Sequence, residues 1–378
     1  MRNGVDRIAA RHCVTSSLRR ACSARGGRLI AAACLALFMG GCTNIGYYAQ
    51  SVQGQIDVWS RQREISEVMR DSRASEEIRR KLALVVQARE FAVRELGLPE
   101  NGSYQRYADI GRPYVVWNVF ATPEFSMKPV HWCMAFVGCV NYRGYFAKED
   151  AERLAAELRQ QGHDVYVGGV PAYSTLGWFS DPVLNTMMRY SDQKLARVVF
   201  HELAHQVVYA KGDTVFNESF AVAVETEGAK RWLARHGSAQ DKKAYDNSVL
   251  RRQGFTRLIE THRAWLKALY KSRLAPDAMR AEKKRILEEM GREYLALKAS
   301  WNGYPGYDRW FAQGLNNAHL ASVSIYARMV PAFQALLRRE GGDLRRFYAA
   351  VNELARRPRE ERTAGLKALM PSATASAR

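Results

Sequence analysis

Apolar residues recur every three or four positions through the first third of the chain. Between residues 56 and 96, Ile78, Leu82, Val85, Val86, Ala92 and Val93 keep that spacing, and Gly97-Leu98-Pro99 closes it. The period predicts a helix and the Gly-x-Pro its stop. From Tyr104 to Asp181 the pattern changes. Residues 114–120 and 164–170 are rich in β-branched and aromatic side chains and bounded by Gly and Pro, and a further strand is expected around 139–146. A helix over 148–161 completes a small sheet with one crossing helix. After Pro182 the helical period returns, over about 191–209, 217–236, 241–274 and 276–299. The turn-rich Trp301-Asn302-Gly303-Tyr304-Pro305-Gly306-Tyr307 leads into 311–339 and a last short helix near 344–355. The fold class is α+β, predominantly helical.

Composition suits a folded chain: of 378 residues, 47% are hydrophobic and 25% charged. The first 41 residues read as a targeting segment instead. Seven arginines precede an apolar run of thirteen residues, Leu29 to Gly41, which is shorter than the roughly 20 that cross a bilayer. It ends in Gly40-Gly41-Cys42, the pattern of a lipoprotein cleavage site with Cys42 as the acylated residue. The chain then divides into a leader (1–41), a tether (42–56), an N-terminal helix with a small α/β sheet (57–185), metal-site helices (186–240), a helical C-terminal region (241–357) and a tail (358–378). Beyond the leader and Cys42, only Cys133 and Cys139 remain, and export predicts a disulfide between them. A thiol metal site with His131 is the alternative. The formal charge is +19, of which the leader supplies +6 (seven Arg minus Asp6), and the remaining balance of about +13 suits a protein lying against anionic headgroups or binding acidic surface polymers. It does not suggest nucleic acid, because the basic residues are spread along amphipathic helices, as over 76–89 and 271–285, without stacking aromatics.

The chemistry is concentrated in Val198-Val199-Phe200-His201-Glu202-Leu203-Ala204-His205-Gln206-Val207-Val208. Helical residues four apart lie on neighbouring turns of one face, so His201 and His205 can address one metal ion. Glu202, turned about 100° away, can hold a water without taking a coordination position. This is the pattern of a zinc hydrolase. Catalytic zinc takes three protein ligands and keeps one position open. Acids available for the third are Asp213, Glu218, Glu225 and Glu227. Glu218 is favoured, because the Gly212 turn lets the second helix fold back beside the first. Glu225, two turns on, is expected to orient a histidine N–H. Asp181-Pro182 reads as a helix-start turn.

His-Glu-Leu-Ala-His-Gln followed by Asn-Glu-Ser-Phe-Ala-Val-Ala-Val-Glu resembles the gluzincin clan of metallopeptidases, in particular the aminopeptidase-N-like enzymes. The resemblance implies a zincin-like fold with a small β-sheet packed on the metal helix and one Zn2+ per chain. It implies His201, His205 and Glu218 as ligands, Glu202 as general base and Glu225 as supporting carboxylate. Twelve residues separate His205 from Glu218, fewer than in those enzymes, and the Gly-x-Met-x-Asn exopeptidase signature is missing upstream. Gluzincins also use a Tyr or His for the oxyanion. Tyr326 is the candidate, within an arc shared with Asn316 and His319, with Tyr304, Tyr307 and His319 as alternatives. They place an edge strand before the metal helix, which here implies that Ala172, Tyr173, Ser174, Thr175, Leu176 and Gly177 line the peptide cleft. Cys42, Gly46-Tyr47-Tyr48, residues 138–146, Ala172 to Phe179 and Leu315-Asn316-Asn317-Ala318 further resemble a bacterial family of predicted lipoprotein aminopeptidases. The expectation is a zinc metallopeptidase of the bacterial cell envelope, lipid-anchored, facing the periplasm and acting on peptides as an aminopeptidase. Its alternatives are an endopeptidase, a hydrolase of another amide, and a non-catalytic envelope binding protein.

Overall fold

The computed structural model describes residues 45–134, 138–176 and 178–370, except the side chains of 325–327. The chain forms two units, divided between Gln53 and Gly54. In the first, residues 45–53 are helical where a tether is expected. The second opens with a helical stretch at 54–60 (α1).

The continuous helix expected over 56–96 is broken twice. Gln62–Glu64 (β1) leaves it to pair with Arg106–Ala108 (β2), which pairs on its other side with Val183–Leu184 (β8). After Ile65–Arg70 (α2), a turn at Asp71 precedes α3, Glu76–Leu96. The Ser75 hydroxyl caps α3 by accepting the Ile78 N–H at 3.2 Å. Gly97, at φ 63°, ends it in the left-handed conformation that its missing Cβ permits.

The middle of the chain holds two further sheets. Val116–Pro123 (β3) lies between Arg143–Tyr145 (β6) and His163–Val170 (β7), both antiparallel to it, with Val116 opposite Val170 and Pro123 opposite His163. One face packs Val119, Ala121 and Val165 on Ala151, Ala155 and Leu158 of α4, Lys148–Gln160. The strand expected over 139–146 is two strands, because Gly138–Val140 (β5) pairs with Trp132–Met134 (β4) and only β6 joins β3. Cys133 and Cys139 stand directly opposite one another and are joined as a disulfide.

The rest is helical: α5 (Asp192–Ala204), α6 (Thr214–His236), α7 (Ala239–Leu269), α8 (Pro276–Ser300), α9 (Asp308–Phe311), α10 (Asn317–Ala327), α11 (Val330–Arg339), α12 (Leu344–Arg356) and α13 (Arg359–Ala368). The single helix expected over 311–339 is thus two, α10 and α11, with Pro331 in the first turn of α11 where its missing N–H costs nothing. The expected tail carries α13, and Arg362 on it is buried. The largest core joins α3, α5 and α6 to α11, α12 and α13; a second joins α7 to α8. Helix α5 packs between α3 and α6, while the β3–β7 sheet packs closely on α4 and α10. No described helix is long and apolar enough to cross a membrane.

Candidate metal centre

Leu195, Ala196, Val199, Phe200 and Leu203 make one face of α5 and are buried. That face packs towards α3, where Phe91 approaches Phe200 at 5.9 Å between ring centroids. His201 lies on the opposite face, with Glu202 turned about 100° from it towards the buried side. The helix was expected to run to Tyr209 but ends at Ala204, and the N–H groups of Gln206 and Val207 tighten onto Leu203 and Ala204. The side chain of Asn217 holds the returning loop. Its Oδ1 accepts the Ala210 N–H at 2.8 Å and its Nδ2 donates to the Ala210 carbonyl at 2.9 Å. Asp213 caps α6 by accepting the Phe216 N–H. Gly212, at φ 75°, makes the turn. Glu218, one residue beyond Asn217 and in the second turn of α6, is thereby brought to the histidines.

His201 Nε2 lies 3.3 Å from His205 Nε2 and 3.3 Å from Glu218 Oε2, and His205 Nε2 lies 3.7 Å from the same oxygen. Three ligands on bonds of about 2.0–2.1 Å at tetrahedral angles stand roughly 3.3 Å apart. The spacing therefore fits a tetrahedral ion, and two nitrogens with one carboxylate are a zinc-type donor set. These three are the His, Cys, Asp and Glu group that can hold a metal among the described residues. Glu225, two turns along α6, sits 3.1 Å from His201 Nδ1 and fixes that ring with Nε2 inward. Its other oxygen accepts from Arg197 and, at 3.3 Å, from Arg252.

Burial sets the electrostatics. Glu202 is 8% exposed, and desolvation raises its pKa, with the two imidazoles offsetting part of the effect. Burial acts on Glu218 too, yet His205 and His201 hold it down at about 2. Desolvation opposes a charge on His201, but Glu218 and Glu225 outweigh it and raise its pKa well above the ordinary value. Buried carboxylates gathered around two imidazoles call for positive charge between them.

Asp181 feels the charge of Glu202 in this cluster, and the helix start expected at Asp181-Pro182 is instead the entry to strand β8, Val183–Leu184. It is 3% exposed, accepts the Thr175 N–H at 2.9 Å, and is pushed up to about 6 by desolvation, with the charge of Glu202 adding to the effect. The Asp181 carbonyl accepts the Tyr104 N–H, and the Asp181 N–H donates to Ser103 Oγ. Ser103 Oγ also accepts from Gln206, next to His205. Tyr104 has φ 61°, unusual for a bulky residue, and its buried hydroxyl has no partner among the described residues. Seventy-seven positions separate Tyr104 from Asp181, so only the fold reveals the pair.

The remaining candidates are dispersed. Asp213 is held by Arg362 at 3.0 Å and Glu227 by Arg231 at 2.9 Å. Residues Ala172–Leu176 form an irregular segment in which Tyr173 donates to Gln55 and Thr175 clasps Asp181, and Gly177 lies outside the described residues. A cavity of about 930 Å³ opens beside His201 and Glu225, and it is lined not by that segment but by Gly168, Gly169 and Val170 of the edge strand β7. Tyr307 lines it too, stacked on Phe255 at 4.1 Å. His319 is buried against Tyr166, 3.2 Å from Asn316, with its pKa lowered to about 4 by desolvation. Tyr304 lies under Arg251 and does not line the cavity. The side chain of Tyr326 and all of Cys42 lie outside the described residues. Cys133 and Cys139, being oxidised together, cannot serve with His131 as thiolate ligands.

No curated protein and no solved structure matches the chain. A family model described as "Putative aminopeptidase" matches residues 46–366, a span that holds all three converging side chains. The chain therefore belongs to that family.

Proposed function

We propose that this protein is a zinc-dependent peptidase of the bacterial cell envelope, an aminopeptidase of gluzincin type. The observation that carries the reading is the triangle of His201, His205 and Glu218, with Glu202 buried on the same helix and family membership supporting a peptidase. A zinc ion held there would polarise the scissile carbonyl and bring the pKa of a water towards roughly 7. Glu202 takes the proton of the attacking water and delivers it to the leaving amine. Glu225, braced by Arg197 and Arg252, keeps His201 in one orientation. The backbone of Gly168 to Val170 offers edge-strand hydrogen bonds to an extended peptide. The arginine-rich leader and Cys42 support export and acyl anchoring, and the basic surface suits anionic headgroups.

The test is hydrolysis of blocked and unblocked peptide libraries by wild type and Glu202→Gln. The reading expects cleavage of unblocked peptides, lost in the variant. Cleavage of blocked peptides would make the enzyme an endopeptidase, and full activity in the variant would remove Glu202 from the chemistry.

A further inference from the structure

The cavity beside His201 is large for a single side chain and lies within the range of small-ligand sites, roughly 300–1,000 Å³. One wall is α7, whose residues Val249 to Glu260 carry two arginines, Arg252 and Arg257, into the lining. Each carboxylate in that lining is already engaged. Glu225 is bound by Arg197, Arg252 and His201. Glu260 accepts from Arg263 at 3.0 Å and from the Ser324 hydroxyl at 2.6 Å. Arg257 is exposed and has no hydrogen bond or ion pair among the described residues. The two arginines and two glutamates of the lining balance in charge, but the glutamates are engaged, and the unpartnered charged member is a guanidinium, the group best matched to a carboxylate. Phe255 and Tyr307, stacked beside it, supply an apolar floor.

We propose that Arg257, with Arg252 deeper in the same wall, forms a subsite for a substrate carboxylate, so that the enzyme acts on short peptides carrying a negative charge near the scissile bond. This rests on the peptidase reading above. The carboxylate has two possible sources, the C-terminus of a short peptide or an acidic side chain. A charge-assisted pair in a partly enclosed cavity is worth about tenfold or more in affinity.

The experiment compares kcat/KM for trialanine and its C-terminal amide, and for Ala-Glu-Ala amide and Ala-Gln-Ala amide, in wild type, Arg257→Gln and Arg257→Glu. Arg257 is exposed, so both variants fold. Wild type is expected to prefer the carboxylate member of at least one pair by about tenfold. Arg257→Gln erases the preference and Arg257→Glu reverses it. A preference confined to the first pair assigns the subsite to a peptide C-terminus, and one confined to the second to a side chain. Equal rates within both pairs, or a preference intact in Arg257→Gln, overturn the proposal. If wild type cleaves none of the peptides, the peptidase reading fails separately, and calorimetric binding of the same pairs decides the subsite. Tighter binding of the carboxylate form, lost in Arg257→Gln, upholds it; equal or absent binding overturns it.

Discussion

Glu202 and Glu225 are both buried acids beside His201, yet they differ in what surrounds them. Glu225 accepts from two arginines and faces an imidazole nitrogen, so its charge is fully employed. Glu202 has no such ion pair among the described residues, and desolvation raises its pKa, a suitable state for a group that must gain and release a proton. Glu202→Gln should therefore retain metal and fold while losing about 10²–10⁴-fold in kcat. Glu225→Gln should keep some activity but bind zinc about 10–100-fold more weakly, measured against a competing chelator. An unchanged zinc affinity would contradict its placement at His201 Nδ1.

Asp181 provides the pH test at the same scale. Its folded pKa, about 6, lies above the ordinary 3.8, so the native state binds the proton more tightly than the unfolded chain does. Stability from this group is thus full below pH 4 and declines as pH rises towards 6. Across that window the loss is on the order of 3 kcal/mol at most. Urea unfolding of wild type and Asp181→Asn at pH 4 and pH 7 should show the difference moving in the variant's favour by about 1–3 kcal/mol. A pH-independent difference would show that Asp181 is not buried as described.

At the scale of elements, the convergence of His201, His205 and Glu218 was legible because it is local. The four-residue step from His201 to His205 needs only a helix, and Glu218 needs only a turn after it. The helix end was not legible. Val207, Val208 and Tyr209 continue the apolar pattern, but Asn217 captures the backbone of Ala210 and closes the chain into a loop first. Residues 172–176, expected at the cleft, do not line this cavity, because the strand that lines it, β7, ends at Val170 and Thr175 turns onto Asp181. The three-sheet arrangement was hidden because the strands are only two to eight residues long and pair across distant segments. A further element-scale contact locks the disulfide hairpin to the α5–α6 turn. Gly138, at φ 80°, would place a Cβ 2.8 Å from the backbone nitrogen of Gly212. Gly138→Ala should cost about 1–3 kcal/mol in denaturant unfolding, and it should also weaken zinc binding by displacing that turn. Loss of stability with zinc affinity untouched would separate the hairpin from the site.

Over the whole molecule, residues far apart in sequence hold α5 and α6 in place. Arg362 on α13 pairs with Asp213 at 3.0 Å, also donates to the carbonyls of Ala355 and Arg357, and lies 5.2 Å from the Phe216 ring centroid. Asp213 caps the helix that carries Glu218, so the C-terminal helix bears directly on the site. Arg362→Ala leaves that acid buried and alone, which should cost about 3–5 kcal/mol in thermal or urea unfolding. The double change Arg362→Met with Asp213→Asn should cost markedly less, because no unpaired charge remains. Equal costs for the two would show that the ion pair is not buried. The helical majority of the fold was readable from periodicity, whereas this clasp was not, because residues 358–378 look like a polar tail until Arg362 finds its partner.

The most direct test of the whole account is elemental analysis of purified protein after brief dialysis, with wild type beside Glu218→Ala. The account predicts one equivalent of zinc per chain at the site of His201, His205 and Glu218, and its loss or strong weakening in the variant. No stoichiometric transition metal in wild type, or full retention in Glu218→Ala, would contradict it.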